Sequence, residues 1–249
     1  MTQVIVVTGV TSGFGQATAR LFAKNGWLVI GTGRRADRLF DLARELGARF
    51  LSLHMDMRDR EAVFTAFAGL DGPWASPDVL VNNAGLALGM DTVQEGSVDD
   101  WEVLVDTNIK GILYATKAIL PGMVKRNRGH VINIGSITGH YPYAGASIYS
   151  GTKAFVTSFS AGLRADLLGT GVRVSNIEPG LAKSEFSLTR FHGDKDRADN
   201  VYSGVCPLTP DDVAESVRWV VSLPEHVNVN RLELMPVCQA PAAPAVYRC

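Results

Sequence analysis

Cysteine is scarce in this chain of 249 residues: Cys206, Cys238 and Cys249 are three in number and far apart. An odd count at such spacing gives no disulfide framework and no set of paired zinc ligands. The five histidines, His54, His130, His140, His192 and His226, contain no pair at ligand spacing, so no metal is assigned. An excess of charge is lacking as well, since 24 Lys and Arg face 25 Asp and Glu without a basic run. That balance argues against a nucleic-acid partner. No apolar stretch is long enough to span a bilayer, and Met1-Thr2-Gln3 leads into a strand pattern without a basic region, signal segment or cleavage site. The expectation is a cytoplasmic protein with no membrane partner. Internal repeats, low-complexity tracts and linkers are absent too, and the length suits one large core. A single domain over 1–249 is expected.

What is present is an alternation of strand-like and helix-like patterns. The β-branched run Val4-Ile5-Val6-Val7 is followed by Thr8-Gly9-Val10-Thr11-Ser12-Gly13-Phe14-Gly15 and a helical pattern from Gln16 to Asn25. Strands are expected near 27–32, 49–54, 78–83, 130–134, 172–178 and 231–235. Helices are expected near 36–46 and 59–69, from Asp99 towards Arg126 with an interruption at Pro121, around Tyr149, and after Pro210. Asp99, Asp100 and Glu102 read as acids at a helix start. The rhythm is that of a parallel sheet covered on both faces. Residues 181–210 break it with a mixture of Gly, Asp, Lys and aromatic side chains, placed where open α/β sheets bind ligands, and are expected to form a mobile substrate lid. A solvated surface insertion is the plain alternative. Ala240-Pro241-Ala242-Ala243-Pro244-Ala245 cannot continue a helix and is expected to run over the surface.

Two local patterns carry chemistry. In Gly9-x-x-x-Gly13-x-Gly15 the glycines let backbone N–H groups approach a pyrophosphate at the positive end of a helix. An ordinary tight turn would look the same in isolation. Tyr149 and Lys153 are four residues apart, which puts them on one helical face. There an ammonium is expected to lower the pKa of a phenol that otherwise titrates near ~10, so that the phenol can exchange a proton near neutral pH. A tyrosine resting on a lysine stem is the alternative for the pair alone.

Together with Asn82-Asn83-Ala84-Gly85, Asn108, Ser136 and Pro179-Gly180, these motifs resemble the classical short-chain dehydrogenase/reductase family over essentially the whole chain. Leu86-Ala87-Leu88-Gly89, Pro142-Tyr143-Ala144-Gly145, Glu178-Pro179-Gly180, Glu185-Phe186-Ser187 and Arg190-Phe191 resemble one branch, the NADP-dependent 3-hydroxy acid dehydrogenases. That branch includes L-allo-threonine and serine dehydrogenases and malonic semialdehyde reductases.

The resemblance implies a Rossmann-type doubly wound parallel sheet in a single α/β domain, with helices on both faces. Asn108, Ser136, Tyr149 and Lys153 match the family's catalytic tetrad. Tyr149 is expected to be the general acid or base, Lys153 to tune it and bond the nicotinamide ribose, and Ser136 to bond the developing alkoxide. Asn108 is expected to hold a water linking Lys153 to solvent, with bonding to the local backbone as the alternative. Gly9, Thr11, Ser12, Gly13, Phe14 and Gly15 should hold the pyrophosphate. Arg34 and Arg35, with no acid at the end of the second strand, favour NADP(H), because a guanidinium suits a 2′-phosphate. Asp56 should bond the adenine amino group beside Met57. Asn83, Ala84 and Gly85 should line the adenosine ribose side, and Pro179, Gly180, Leu181, Ala182 and Ser184 the nicotinamide side.

The substrate is then expected to be a short 3-hydroxy acid, bound by Ser136, Tyr149 and Arg190. Arg190 either receives the carboxylate or pairs with Asp194 or Asp196 to stiffen the lid; backbone N–H groups or Lys183 are the next candidates for the carboxylate. Reduction of a 3-oxoacyl thioester or another small ketone is the competing activity, and it would call for a basic outer surface that is not evident. A non-catalytic NADPH sensor would have lost part of the tetrad. The family resemblance further implies a homotetramer, in which the helices containing Asn108 and Tyr149 meet their symmetry mates and tails tend to lie against neighbouring subunits.

Overall fold

A computed structural model describes residues 2–241. Seven strands form its sheet: β1 (Val4–Val7), β2 (Leu28–Gly33), β3 (Phe50–His54), β4 (Val79–Asn82), β5 (Gly129–Ile134), β6 (Val172–Pro179) and β7 (Arg231–Leu234). Every pairing is parallel, in the order β3-β2-β1-β4-β5-β6-β7. Parallel neighbours need crossovers, and helices supply them. They are α1 (Gly13–Lys24), α2 (Ala36–Leu46), α3 (Arg60–Ala68), α4 (Val98–Val105), α5 (Gly111–Lys125), α6 (Ser147–Asp166) and α9 (Pro210–Ser222), with two short helices in the 181–210 segment, α7 (Phe186–Arg190) and α8 (Lys195–Asn200).

The period of two along each strand divides its side chains between two cores. Ile5, Val7, Val29, Val81, Ile132 and Ile177 pack against α1, α2 and α9. Val4, Val6, Ile30, Leu80, Val131 and Val174 face α3, α5 and α6. Both faces are buried, which is why β1 reads as an unbroken apolar run instead of an alternating one. The expected doubly wound sheet is therefore present.

Expected boundaries agree within about three residues, with one correction. The pattern from Asp99 to Arg126 is interrupted not at Pro121 but at Asn108, where a single π turn, Asp106–Lys110, separates α4 from α5. Pro121 stays inside α5, between the buried Ile119 and Met123. It forfeits one N–H bond there, and apolar packing on either side holds the helix. His130 lies within β5, 1% exposed, with Nε2 2.9 Å from Ser175 Oγ on β6.

The order of strands reverses at β1, whose neighbours β2 and β4 carry chain of opposite winding, so a crevice opens beyond the carboxyl ends of β1 and β4. Thr8 and Asn83, the residues after those strands, close its floor. Thr8 Oγ1 accepts from the N–H groups of Asn83 (3.0 Å) and Ala84 (2.9 Å), and Asn83 Nδ2 donates to the carbonyls of Thr8 (2.8 Å) and Gly9 (3.1 Å).

Burial pushes the His130 imidazole down from 6.5 to about 3, and the nearby Arg173 charge adds to the effect. An unfolded chain takes up this proton below its usual 6.5, whereas the folded chain resists until about 3, so stability falls as the pH drops through that window. His130→Gln should lose less stability than the parent between pH 7 and pH 4, measured as the shift in urea midpoint. Equal losses for the two proteins would assign the acid sensitivity to other groups.

Candidate active site

Helix α6 carries Tyr149 and Lys153 on one buried face, as their spacing requires. Lys153 Nζ donates to the carbonyl of Ile134 at the end of β5, 2.8 Å away, and lies 5.8 Å from the centre of the Tyr149 ring. Ser136 follows β5 and caps a short 3-10 turn, its Oγ accepting from Thr138 N–H at 3.2 Å and Thr138 Oγ1 at 3.1 Å. The expected lowering of the phenol is not found. Burial pushes Tyr149 up to about 12, while the Ser136 hydroxyl and the Arg190 guanidinium pull the other way. Lys153 is itself brought down to about 8 by burial, and its hydrogen bond goes to a carbonyl instead of the phenol.

Asn108 is fully buried in the π turn. Its Oδ1 accepts from Leu86 N–H (2.9 Å), and Nδ2 donates to Leu86 O (2.9 Å) and Thr152 Oγ1 (3.1 Å). The alternative of bonding to the local backbone of its own helix does not describe these bonds, which go to Leu86 and Thr152. They tie α5 to the chain beyond β4 and, through Thr152, to α6 beside Lys153. The extra residue of a π turn is what directs this side chain inward, and such turns recur at functional sites.

At the start of α1, Gly9 adopts φ +75°, a left-handed conformation that other residues seldom take. A Cβ on Gly15 would stand 2.3 Å from the Gly9 carbonyl oxygen, so helix and turn approach as closely as they do only because that position is bare. Ser12 precedes the helix without capping it through its side chain, which leaves the N-terminal amides to a ligand. Thr11, Ser12, Gly13 and Phe14 line the same groove as Gly9. It holds about 280 Å³ and runs from Arg34 and Arg35 past Asn83, Ala84 and Gly85 to Tyr149 and Lys153.

The basic end of this groove is more elaborate than Arg34 and Arg35 alone. Arg35 donates to Thr11 Oγ1 through Nε (3.0 Å) and Nη2 (2.9 Å), and to Ser12 Oγ (2.8 Å). Arg34 is exposed, 3.8 Å from Asp56. The Asp56 carboxylate is gripped by Arg58, at 3.0 Å and 2.7 Å to one oxygen; burial acts to raise its pKa, but the Arg58 bonds hold it below the usual range. Met57, buried beside it, accepts a 3.4 Å bond from Thr32 at its sulfur.

Beyond Tyr149 lies a more apolar cavity of about 390 Å³, bordered by the 181–210 segment expected to act as a lid. Ser136, Pro179, Gly180, Leu181, Ala182, Ser184 and Arg190 all line it. Arg190 is 8% exposed and donates to Gly89 O (3.2 Å) and Tyr143 Oη (2.6 Å). Its Nη2 is buried without a partner among the described residues, and its guanidinium carbon is 5.5 Å from the centre of the Tyr149 ring. Neither Asp194 nor Asp196 pairs with it among the described residues; Asp194 caps α8. Lys183 is exposed and lies over Tyr202, a lining residue, without itself lining the cavity. Gln239 accepts from Leu181 N–H at 2.7 Å, and Ala240 and Pro241 also line the cavity, so the described part of the tail folds onto the lid. The rest of that expectation, residues 242–245, lies outside the described residues. No group of three His, Cys, Asp or Glu suited to a metal occurs among the described residues, and no helix there is long and apolar enough to cross a membrane.

The model of the short chain dehydrogenase family matches residues 3–194. The chain belongs to that family. It is 53% identical over 246 residues to the NADP-dependent 3-hydroxy acid dehydrogenase YdfG of Salmonella typhi, covering 98% of this chain and 99% of the relative. Against the serine 3-dehydrogenase of Rhizobium radiobacter the identity is 52% over 248 residues, 100% of this chain and 99% of the relative. Among solved structures, the closed form of a serine dehydrogenase complexed with NADP+ superposes with a TM-score of 0.98 at 52% identity, covering 99% of this chain and 100% of that one.

Several groups of this short chain dehydrogenase receive no role from the motif reading. Arg38 and Arg58 join the basic end, Tyr143 and Gln239 shape the lid cavity, and Thr8 staples the floor. Glu178 is the most telling, a fully buried carboxylate held by His140 (3.0 Å), Thr157 (2.9 Å), Asn176 (2.7 Å) and Arg231 (2.5 Å). An acid inside a strand buried on both faces was the available signal, since such a charge persists only when partnered.

Removing the Asn108 amide strands Leu86 N–H and C=O in the interior. Asn108→Ala should cost about 1–3 kcal/mol of stability in urea unfolding. A loss below about 0.5 kcal/mol would mean that the bridge between α5 and α6 is dispensable.

Proposed function

We propose that this dehydrogenase interconverts the 3-hydroxyl of a short 3-hydroxy acid and the matching 3-oxo acid, using NADP(H). L-Allo-threonine, L-serine and 3-hydroxypropionate, the last paired with malonic semialdehyde, are the candidate substrates. The observation that carries the reading is Arg190, a buried cation with an unpartnered nitrogen in the same cavity as Ser136 and Tyr149. A buried guanidinium of that kind is suited to a carboxylate. The names of the relatives support both halves of the proposal.

The cofactor side fits as well. A glycine turn that a Cβ would fill can hold the pyrophosphate over the α1 amides, and Arg34 and Arg35 can take a 2′-phosphate. Bound there, the nicotinamide supplies or accepts the hydride. The chain's own groups do the rest. Tyr149, protonated at neutral pH, gives its proton to the carbonyl oxygen in reduction and takes one back in oxidation. Arg190, 5.5 Å from its ring, favours the phenolate that oxidation requires, and Lys153 lies 5.8 Å from the same ring. Ser136 steadies the same oxygen, and Asn108 fixes the ground beneath Lys153. A single-domain subunit, a cytoplasmic setting and a homotetramer belong to the same reading, and Leu113 and Val124 on α5 are exposed apolar residues that an interface would cover.

A panel of 3-hydroxy acids assayed with NADP and NAD, following the absorbance of the reduced coenzyme, tests the proposal. Oxidation of at least one of them, faster with NADP, is expected. Reduction of a 3-oxoacyl thioester with no turnover of any 3-hydroxy acid would overturn it. Tyr149→Phe should lower turnover by at least about two orders of magnitude while coenzyme binding survives. Near-normal turnover in a chemistry-limited regime would remove Tyr149 from that role.

Arg190→Met should depress kcat/KM strongly for 3-hydroxypropionate and much less for a matched alcohol without the carboxylate. An equal loss for both would make Arg190 a part of the lid alone.

A further inference from the structure

The lid sends a carboxylate to the far end of the groove from the cavity it covers. Glu185, immediately before α7, accepts from Arg35 Nη1 at 2.9 Å and from Arg38 Nη1 at 2.7 Å and 2.8 Å. The three side chains come together from positions about 150 residues apart in sequence and remain 37–43% exposed. The next residue, Phe186, packs its ring 5.5 Å from that of Tyr149. Two consecutive lid residues thus touch the two ends of the groove, one at the arginines and one at the phenol.

Arg35 is already committed to Thr11 and Ser12 through Nε and Nη2, and Glu185 takes the other terminal nitrogen. We infer that Glu185 sets the discrimination between coenzymes: its carboxylate stands on Arg35 and Arg38 where a 2′-phosphate would, and a ligand bearing that phosphate has to displace it. The inference rests on the assignment of the 2′-phosphate to this arginine cluster. A phosphate with charge near −2 is a stronger partner for guanidinium than a carboxylate, and exposed ion pairs are weak enough to exchange. Displacement lowers the affinity for NADP(H) below what the arginines alone would give, and frees the lid at that point. A coenzyme without the 2′-phosphate leaves Glu185 in place and is unaffected.

Glu185→Gln keeps the shape and removes the charge. Calorimetric titration of the parent and the variant with NADP+, NAD+ and adenosine 2′,5′-bisphosphate reads the effect without turnover. The variant should bind NADP+ and the bisphosphate about two- to tenfold more tightly, with NAD+ unchanged. Trypsin should cut after Lys183 faster in the variant, and the bisphosphate should bring the parent towards the same rate. Unchanged or weaker NADP+ binding by the variant, or an equal shift for both coenzymes, overturns the role given to Glu185. In that case a parent that still prefers NADP+ over NAD+ leaves the arginine assignment standing; a parent that binds both alike overturns the two together.

Discussion

The cross-tie between Thr8 and Asn83 is the constraint on which the candidate site depends. It joins the ends of the two strands that diverge at the reversal of the sheet, and does so with four bonds from two short side chains. Parallel strands ending in open loops would otherwise leave their last carbonyls to water. Here those carbonyls fix the floor of the groove, and the same Asn83 amide is what a Cβ on Gly15 would strike at 2.4 Å. Backbone approach, glycine placement and strand order are therefore one geometric fact seen from three sides.

Polar groups concentrate at this edge of the sheet, and several of them are held by the chain. Lys153 rests on Ile134 O, Asn108 on Leu86 and Thr152, and Glu178 on a cage of four donors that reaches the edge strand through Arg231. Buried polar groups are costly unless satisfied, so this network gives the site a defined shape before a ligand arrives. Arg190 Nη2 and Tyr149 depart from the pattern. One lacks a partner and the other is pushed up to about 12, and both border the lid cavity.

How much of this was legible in the sequence follows from the range of each interaction. The strands and helices were readable because apolar periodicity is local and strong; Val4 to Val7 alone announces a strand buried on both faces. The glycine turn and the Tyr149–Lys153 pair were readable because their spacing is set within one or two helical turns. Asn108 was placed in the site, but its partners were not, since Leu86 lies 22 residues away and the π turn leaves no compositional trace. Arg38 and Glu185 are 147 residues apart, and nothing local links them. The direction of the Tyr149 shift was misread for a related reason: spacing reports that a lysine is near, whereas depth of burial belongs to the whole fold.

The base of the lid is pinned. Ala182 bridges to Leu208, with Lys183 N–H on Leu208 O and Leu208 N–H on Leu181 O at 2.8 Å and 2.9 Å. Both ends of the segment, one after β6 and one before α9, consequently meet at a single spot, and closing that loop costs nearly the same whether it is somewhat longer or shorter. Closure entropy therefore leaves the intervening stretch open to replacement as a cassette. Its length and side chains can change, retuning what the cavity admits, while the strand and the helix that position Ser136 and Tyr149 are left untouched.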